Sequence, residues 1–148
     1  MKYEYTISAH YKPGETVAIV DDKSAAAFLD HLVLDATRSV DSSAATLIVN
    51  ERRKDADGLP DHQLIVGVDP ASKSGGLAYT DRQGTVYAIG RMSDRDEVVY
   101  LCHGYAEQFP QNSVLDLTQT LTAIKDMLRT GERPQNLNWA PMPAAEGS

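Results

Sequence analysis

The chain is short of cysteine, of basic side chains and of long apolar runs, and each shortage removes a class of protein. A single cysteine, Cys102, stands among 148 residues. It can form neither an internal disulfide nor a Cys-rich zinc site, a usage that fits a reducing compartment. Lys and Arg together number 14 against 21 Asp and Glu, for a formal net charge of −7. A general nucleic-acid binder carries a basic footprint, and so does a protein that docks on anionic lipid. Neither description fits this balance. It fits a well-solvated surface, or one that meets a basic protein. No stretch approaches the roughly 18 apolar residues of a membrane span. The opening Met1-Lys2-Tyr3-Glu4-Tyr5-Thr6-Ile7 alternates polar with apolar and lacks an apolar h-region, so it reads as a strand and not a signal peptide. The expectation is a cytoplasmic protein.

A chain of this length buries roughly 68–70% of its unfolded surface and needs no staple. Neither a repeat nor a linker divides it. One domain is expected over residues 1–139, followed by a tail at 140–148 whose two prolines leave little to bury.

Two segments have helical periodicity. Ala25, Phe28, Leu29, Leu32 and Ala36 recur at i, i+3, i+4 spacing behind the capping side chains of Asp21-Asp22-Lys23-Ser24. Leu117, Leu121, Ile124 and Leu128 form a second stripe. It opens on Asp116 with Gln119 three residues on, as in a capping box, and it stops at Gly131 before Pro134. Strands are expected at 1–7, 16–20, 45–52, 63–69, 76–80, 85–89, 97–103 and 136–139. Turns are marked by Lys12-Pro13-Gly14-Glu15, by Asp57-Gly58 and by Asp81-Arg82-Gln83-Gly84. Consecutive hairpins predict an α+β fold: a mostly antiparallel sheet with two helices packed on one face.

Catalytic patterns are sparse. Cys102 beside His103 is the one nucleophile-and-base pair, but adjacent strand residues point to opposite faces. His10, His31, His62 and His103 lack metal-ligand spacing and read as surface side chains. Asp94, Asp96 and Glu97 form a charged loop that solvation alone explains. Ser72-Lys73-Ser74-Gly75-Gly76 lacks the phosphate-loop pattern and precedes a strand, where such a loop would open a helix. Trp139 reads as a late-strand aromatic packing over the helix stripe. No cofactor and no metal are implied.

The carboxy-terminal part is more distinctive. Gly75-Gly76-Leu77-Ala78-Tyr79 is followed by Glu107-x-Phe109-Pro110, then by the capped helix, Gly131-Glu132-Arg133-Pro134 and Trp139. This ordered set, over residues 63–139, resembles the Imm family-one immunity proteins of bacterial polymorphic toxin systems. The pattern residues are Gly76, Tyr79, Glu107, Phe109, Pro110, Gly131, Pro134 and Trp139. Apart from Glu107 they read as structural. The resemblance implies a non-enzymatic cytoplasmic antitoxin that binds the C-terminal domain of a cognate toxin, often a nucleic-acid deaminase or nuclease. Such a toxin grips nucleic acid in a basic groove, which acidic loops can fill. The candidate contacts are Asp55, Asp57, Asp61, Asp94, Asp96, Glu97 and Glu107. Two other readings stand beside this one: a small enzyme using Cys102 or a carboxylate pair, and an adaptor or chaperone that binds its partner without inhibiting it.

Overall fold

β-Branched and aromatic residues alternating with small polar ones give this chain its strands, and a computed structural model shows how they assemble. It describes residues 3–12, 15–39, 42–52, 54, 58–102 and 104–143. The turn residues Pro13 and Gly14 and the final 144–148 lie outside that set. The elements are β1 (Ile7–Lys12), β2 (Glu15–Ile19), α1 (Asp22–Arg38), β3 (Ala44–Val49), β4 (Gln63–Asp69), β5 (Ser74–Asp81) and β6 (Gly84–Ala88). They are followed by β7 (Val98–Cys102), β8 (Tyr105–Phe109), β9 (Leu115–Asp116), α2 (Leu117–Thr130) and β10 (Trp139–Ala140).

The main sheet runs β10-β6-β5-β4-β3-β1-β2, with the short β9 also paired to β5. Every pairing is antiparallel. With two helices, this is the expected α+β class. Ala140 pairs with Tyr87, so the last strand takes in the first residue of the expected tail.

Both helices pack on one face of the sheet. Ala25, Phe28, Leu29 and Leu32 of α1 and Ala123, Ile124, Met127 and Leu128 of α2 meet Ile7, Leu47, Leu64, Val66 and Leu77. Their ends follow from the sequence. Asp21 Oδ1 accepts the Ser24 amide at 2.8 Å while Ser24 Oγ accepts the Asp21 amide at 3.0 Å, a reciprocal cap. At α2 the Gln119 side chain reaches back to the Asp116 amide at 2.9 Å. Gly131 ends that helix in the left-handed conformation, φ 71°, and its amide donates to the Met127 carbonyl at 2.8 Å. A Cβ there would also lie 2.6 Å from the Tyr5 ring.

The opposite face is covered in part by something the sequence pattern does not announce. The strand expected at 97–103, observed as β7 over Val98–Cys102, does not join the main sheet. β7 pairs only with β8, and this separate hairpin lies across the sheet. Val98, Tyr100, Cys102 and Phe109 form a second, smaller core with Ala44, Ile65 and Ala78. Its floor is glycine. A Cβ on Gly67 would stand 2.3 Å from Cγ of Tyr100, and one on Gly76 would stand 3.0 Å from the Phe109 ring. The two rings pack edge to face, with centroids 4.8 Å apart.

Candidate functional site

The polar side chains with the most defined surroundings gather at the start of β4. His62, expected at the surface, is buried, with 4% of its area exposed. The Val49 amide donates to His62 Nε2 at 2.9 Å, so that nitrogen is unprotonated and Nδ1 carries the proton to Asp61 Oδ1 at 2.8 Å. Arg52 Nη2 holds the other Asp61 oxygen at 3.0 Å. Its Nη1 donates to the Tyr79 hydroxyl at 2.9 Å and to the Gly131 carbonyl at 3.3 Å. Burial drives the His62 pKa below its ordinary value, and the bond to Asp61 only partly opposes this. Burial acts to raise the Asp61 pKa, but the bonds from His62 and Arg52 outweigh it and hold the carboxyl low. The chain of contacts ties the β3–β4 connection to β5 and to the end of α2. A histidine with both nitrogens engaged in this way has a structural role. Asp61, proposed as a partner contact, points both oxygens inward and keeps 30% of its side chain exposed.

Cys102 is buried. Burial pushes its thiol pKa up; a hydrogen bond with Thr46 opposes that and the charge of Glu107 adds to it. A thiol held protonated is a weak nucleophile. His103 lies outside the described residues. Among the described residues no group of three or more His, Cys, Asp or Glu side chains is arranged to hold a metal ion. The glycines after Ser74 sit inside β5 and not in a phosphate loop: a Cβ on Gly75 would lie 2.6 Å from the Gly67 carbonyl oxygen.

The charged loop is better placed for contact with a partner. Asp94, Asp96 and Glu97 are exposed, on a segment clipped to residues 111–114. The Gly90 amide donates to Asn112 at 2.8 Å and that of Ser93 to Gln111 at 2.7 Å, while Arg91 and Val114 exchange bonds of 2.7 and 3.1 Å. Gln111 Nε2 adds a bond of 2.9 Å to the Arg95 carbonyl. Between this loop, the β4–β5 turn and the end of α1 opens a cleft of about 650 Å³. A second cleft, of about 890 Å³, lies beside Lys54, Leu59, Asp61 and Arg82. Glu107 is elsewhere, half-buried on β8 opposite Tyr100 and close enough to Tyr87 to help raise its pKa, chiefly a burial effect. Asp55 and Asp57 lie outside the described residues. The structure therefore groups Asp94, Asp96 and Glu97 and leaves Asp61 and Glu107 apart from them.

The remaining pattern residues sit in or against the cores. Gly76 and Phe109 meet beneath the hairpin. Pro110 and Pro134 are buried. Tyr79 stacks on His62 and lies edge-on to Trp139, whose indole N–H donates to the Pro134 carbonyl at 2.9 Å. Met92 and Val99 on the cleft wall escaped the reading of the sequence, because an isolated exposed methionine or valine carries no pattern.

A helix-backed antiparallel sheet thus carries a hairpin on its other face and a tethered acidic loop beside a cleft, an architecture that does not by itself assign a function. Comparison with known families is more specific. Residues 16–141 match the family described as immunity protein Imm1, and the chain belongs to that family of immunity proteins of toxin systems. The match covers both helices and every strand from β2 on except Glu15, the first residue of β2. No curated protein matches the sequence.

Proposed function

We propose that this protein binds and neutralises the C-terminal domain of a cognate polymorphic toxin, a nucleic-acid deaminase or nuclease, in the cytoplasm of the cell that makes both. The observation that carries the reading is the family match through residues 16–141. Inhibition is by binding and not by catalysis, in keeping with the buried Cys102 thiol. A toxin acting on nucleic acid needs a basic groove. A chain of net charge −7 with exposed carboxylates is matched to such a groove in sign, which speeds encounter and disfavours wrong partners.

Co-expression with the toxin domain encoded by the neighbouring gene tests the reading. Growth is restored if the protein neutralises the toxin. Continued killing, with both proteins soluble and present, rejects it.

A further inference from the structure

We propose that the cleft of about 650 Å³ beside the charged loop receives a cationic side chain, Lys or Arg, from the toxin domain. Met92 and Val99 pack its aliphatic stem, and Asp94, Asp96 and Glu97 meet its charge. This deepens the neutralisation reading above and rests on it.

Three observations converge on the cleft. The first is charge. Two guanidiniums, Arg91 and Arg95, and two carboxylates, Asp69 and Asp94, line it; the exposed Asp96 and Glu97 follow on the same loop. The cations are already matched within the protein: Arg91 pairs with Asp116 at 3.1 Å and Arg95 with Asp69 at 3.6 Å. Asp94, Asp96 and Glu97 are left, with no ion pair to any described residue. Three like charges within four residues of chain repel one another, and a cation entering from outside relieves that cost. The second cleft offers no such excess. Lys54 and Arg82 there face Asp61 and Asp81, and Asp61 is already held by Arg52 and His62.

The second observation is apolar surface. Met92 is 67% exposed and Val99 42%, and both line this one cleft. A single exposed hydrophobe is ordinary. Two on the wall of a cleft rimmed by carboxylates make the mixed lining that the stem and head of a long cationic side chain require. The third observation is rigidity. The main-chain bonds from 90–93 to 111–114 fix the loop before any partner arrives, so little ordering entropy remains to be lost on association.

Binding kinetics with the purified toxin domain test the proposal, using the full chain and two variants. In Asp94→Lys/Asp96→Lys/Glu97→Lys the association rate at low salt falls about tenfold or more, and the gap closes as salt screens the charges. In Met92→Ser/Val99→Ser the association rate holds while dissociation speeds up about tenfold, as loss of short-range packing requires. A control, Leu59→Ser/Arg82→Ser at the second cleft, stays within about threefold of the parent in both rates. Hydrogen exchange on the wild-type complex gives an answer independent of variant folding, with protection gained at amides 91–99. Unchanged rates in both cleft variants overturn the proposal, as does protection confined to the second cleft. Tight wild-type binding with either of those outcomes removes the cleft alone. A wild-type chain that does not bind the toxin domain removes the neutralisation reading and the cleft with it.

Discussion

Replacing Gly67 by alanine adds one methyl group where the Tyr100 ring already lies. The new Cβ would stand 2.3, 2.5 and 2.6 Å from Cγ, Cδ2 and Cδ1 of that ring, all far inside van der Waals contact. Rotating the ring about its own axis gives no relief, because Cγ lies on that axis. The ring must move away bodily, and it is pinned edge-on to Phe109, which in turn contacts Tyr87. Relief therefore means lifting the β7–β8 hairpin off the sheet. Overpacking of this kind costs about 1–3 kcal/mol. Alanine regains up to about 1 kcal/mol by restricting the unfolded chain. With three contacts violated at once the upper part of the range applies, so the net loss is about 2 kcal/mol. For a chain of this size that lowers Tm by about 4–8 °C. Thermal and urea unfolding measure it, and the control is the same substitution in a Tyr100→Ala background, where it becomes neutral or mildly stabilising. A Gly67→Ala protein that melts at or above the parent temperature refutes the account of the glycine floor. An equal loss in the Tyr100→Ala background would place the cost elsewhere.

Other perturbations test other parts of the structure. The pKa of His62 is lowered on folding, so the unfolded chain takes up its proton first as pH falls. The stability it contributes is present above pH about 6.5 and is lost below that, with a slope of at most about 1.4 kcal/mol per pH unit. Urea midpoints between pH 7.5 and 5 should show this loss, and His62→Gln, which keeps an acceptor for the Val49 amide, should flatten it. Gly131→Ala forces a left-handed φ on a side chain and drives it into Tyr5, for an expected loss of about 1–3 kcal/mol by thermal melting. In a Tyr5→Ala background Gly131→Asn should be better tolerated than in the parent, since Asn accepts that φ. Thiol labelling of the native protein should run at least about tenfold slower than in urea, because Cys102 is buried and held protonated. Equal rates would contradict its place in the small core.

The helices were legible because their signals are local. Asp21 and Ser24, Asp116 and Gln119, and Gly131 lie within a turn or two of what they cap, and the apolar stripes register one buried face. β4 was legible for the same reason, as a β-branched run between turn residues. The β7–β8 hairpin was not. Alternate burial of Val98, Tyr100 and Cys102 says that one side is covered, but period-2 patterning cannot say by what. The signal lay elsewhere in the chain, in Gly67 and Gly76, two strand-interior glycines that mark a close approach. His62 was misread because a histidine in a polar stretch looks solvated. Its partners come from Val49, thirteen residues away, and from the neighbouring Asp61, and only the turn of the chain brings them around it. Among the candidate contacts, Asp94, Asp96 and Glu97 are grouped by mere adjacency. Asp61 shows why a carboxylate in a loop cannot be assigned to a partner from sequence alone: an arginine nine residues back had already claimed it.

Strand order also sets an order on the folding reaction. From β3 to β6 each strand pairs with its neighbour in sequence, so four strands zip together by local closures, tight at β4–β5 and β5–β6 and longer at β3–β4. Arg52, by contrast, reaches a carbonyl seventy-nine positions away, and β10 must find β6 after the whole of α2 has been laid down. Contacts of low sequence separation form early because they close loops at small entropic cost. Conservative truncations in the meander, such as Leu64→Ala or Leu77→Ala, should therefore slow refolding. Arg52→Met should act almost wholly on the unfolding rate. The Arg52 clamp is then a latch engaged after the barrier, governing how long the folded protein persists and not how fast it forms.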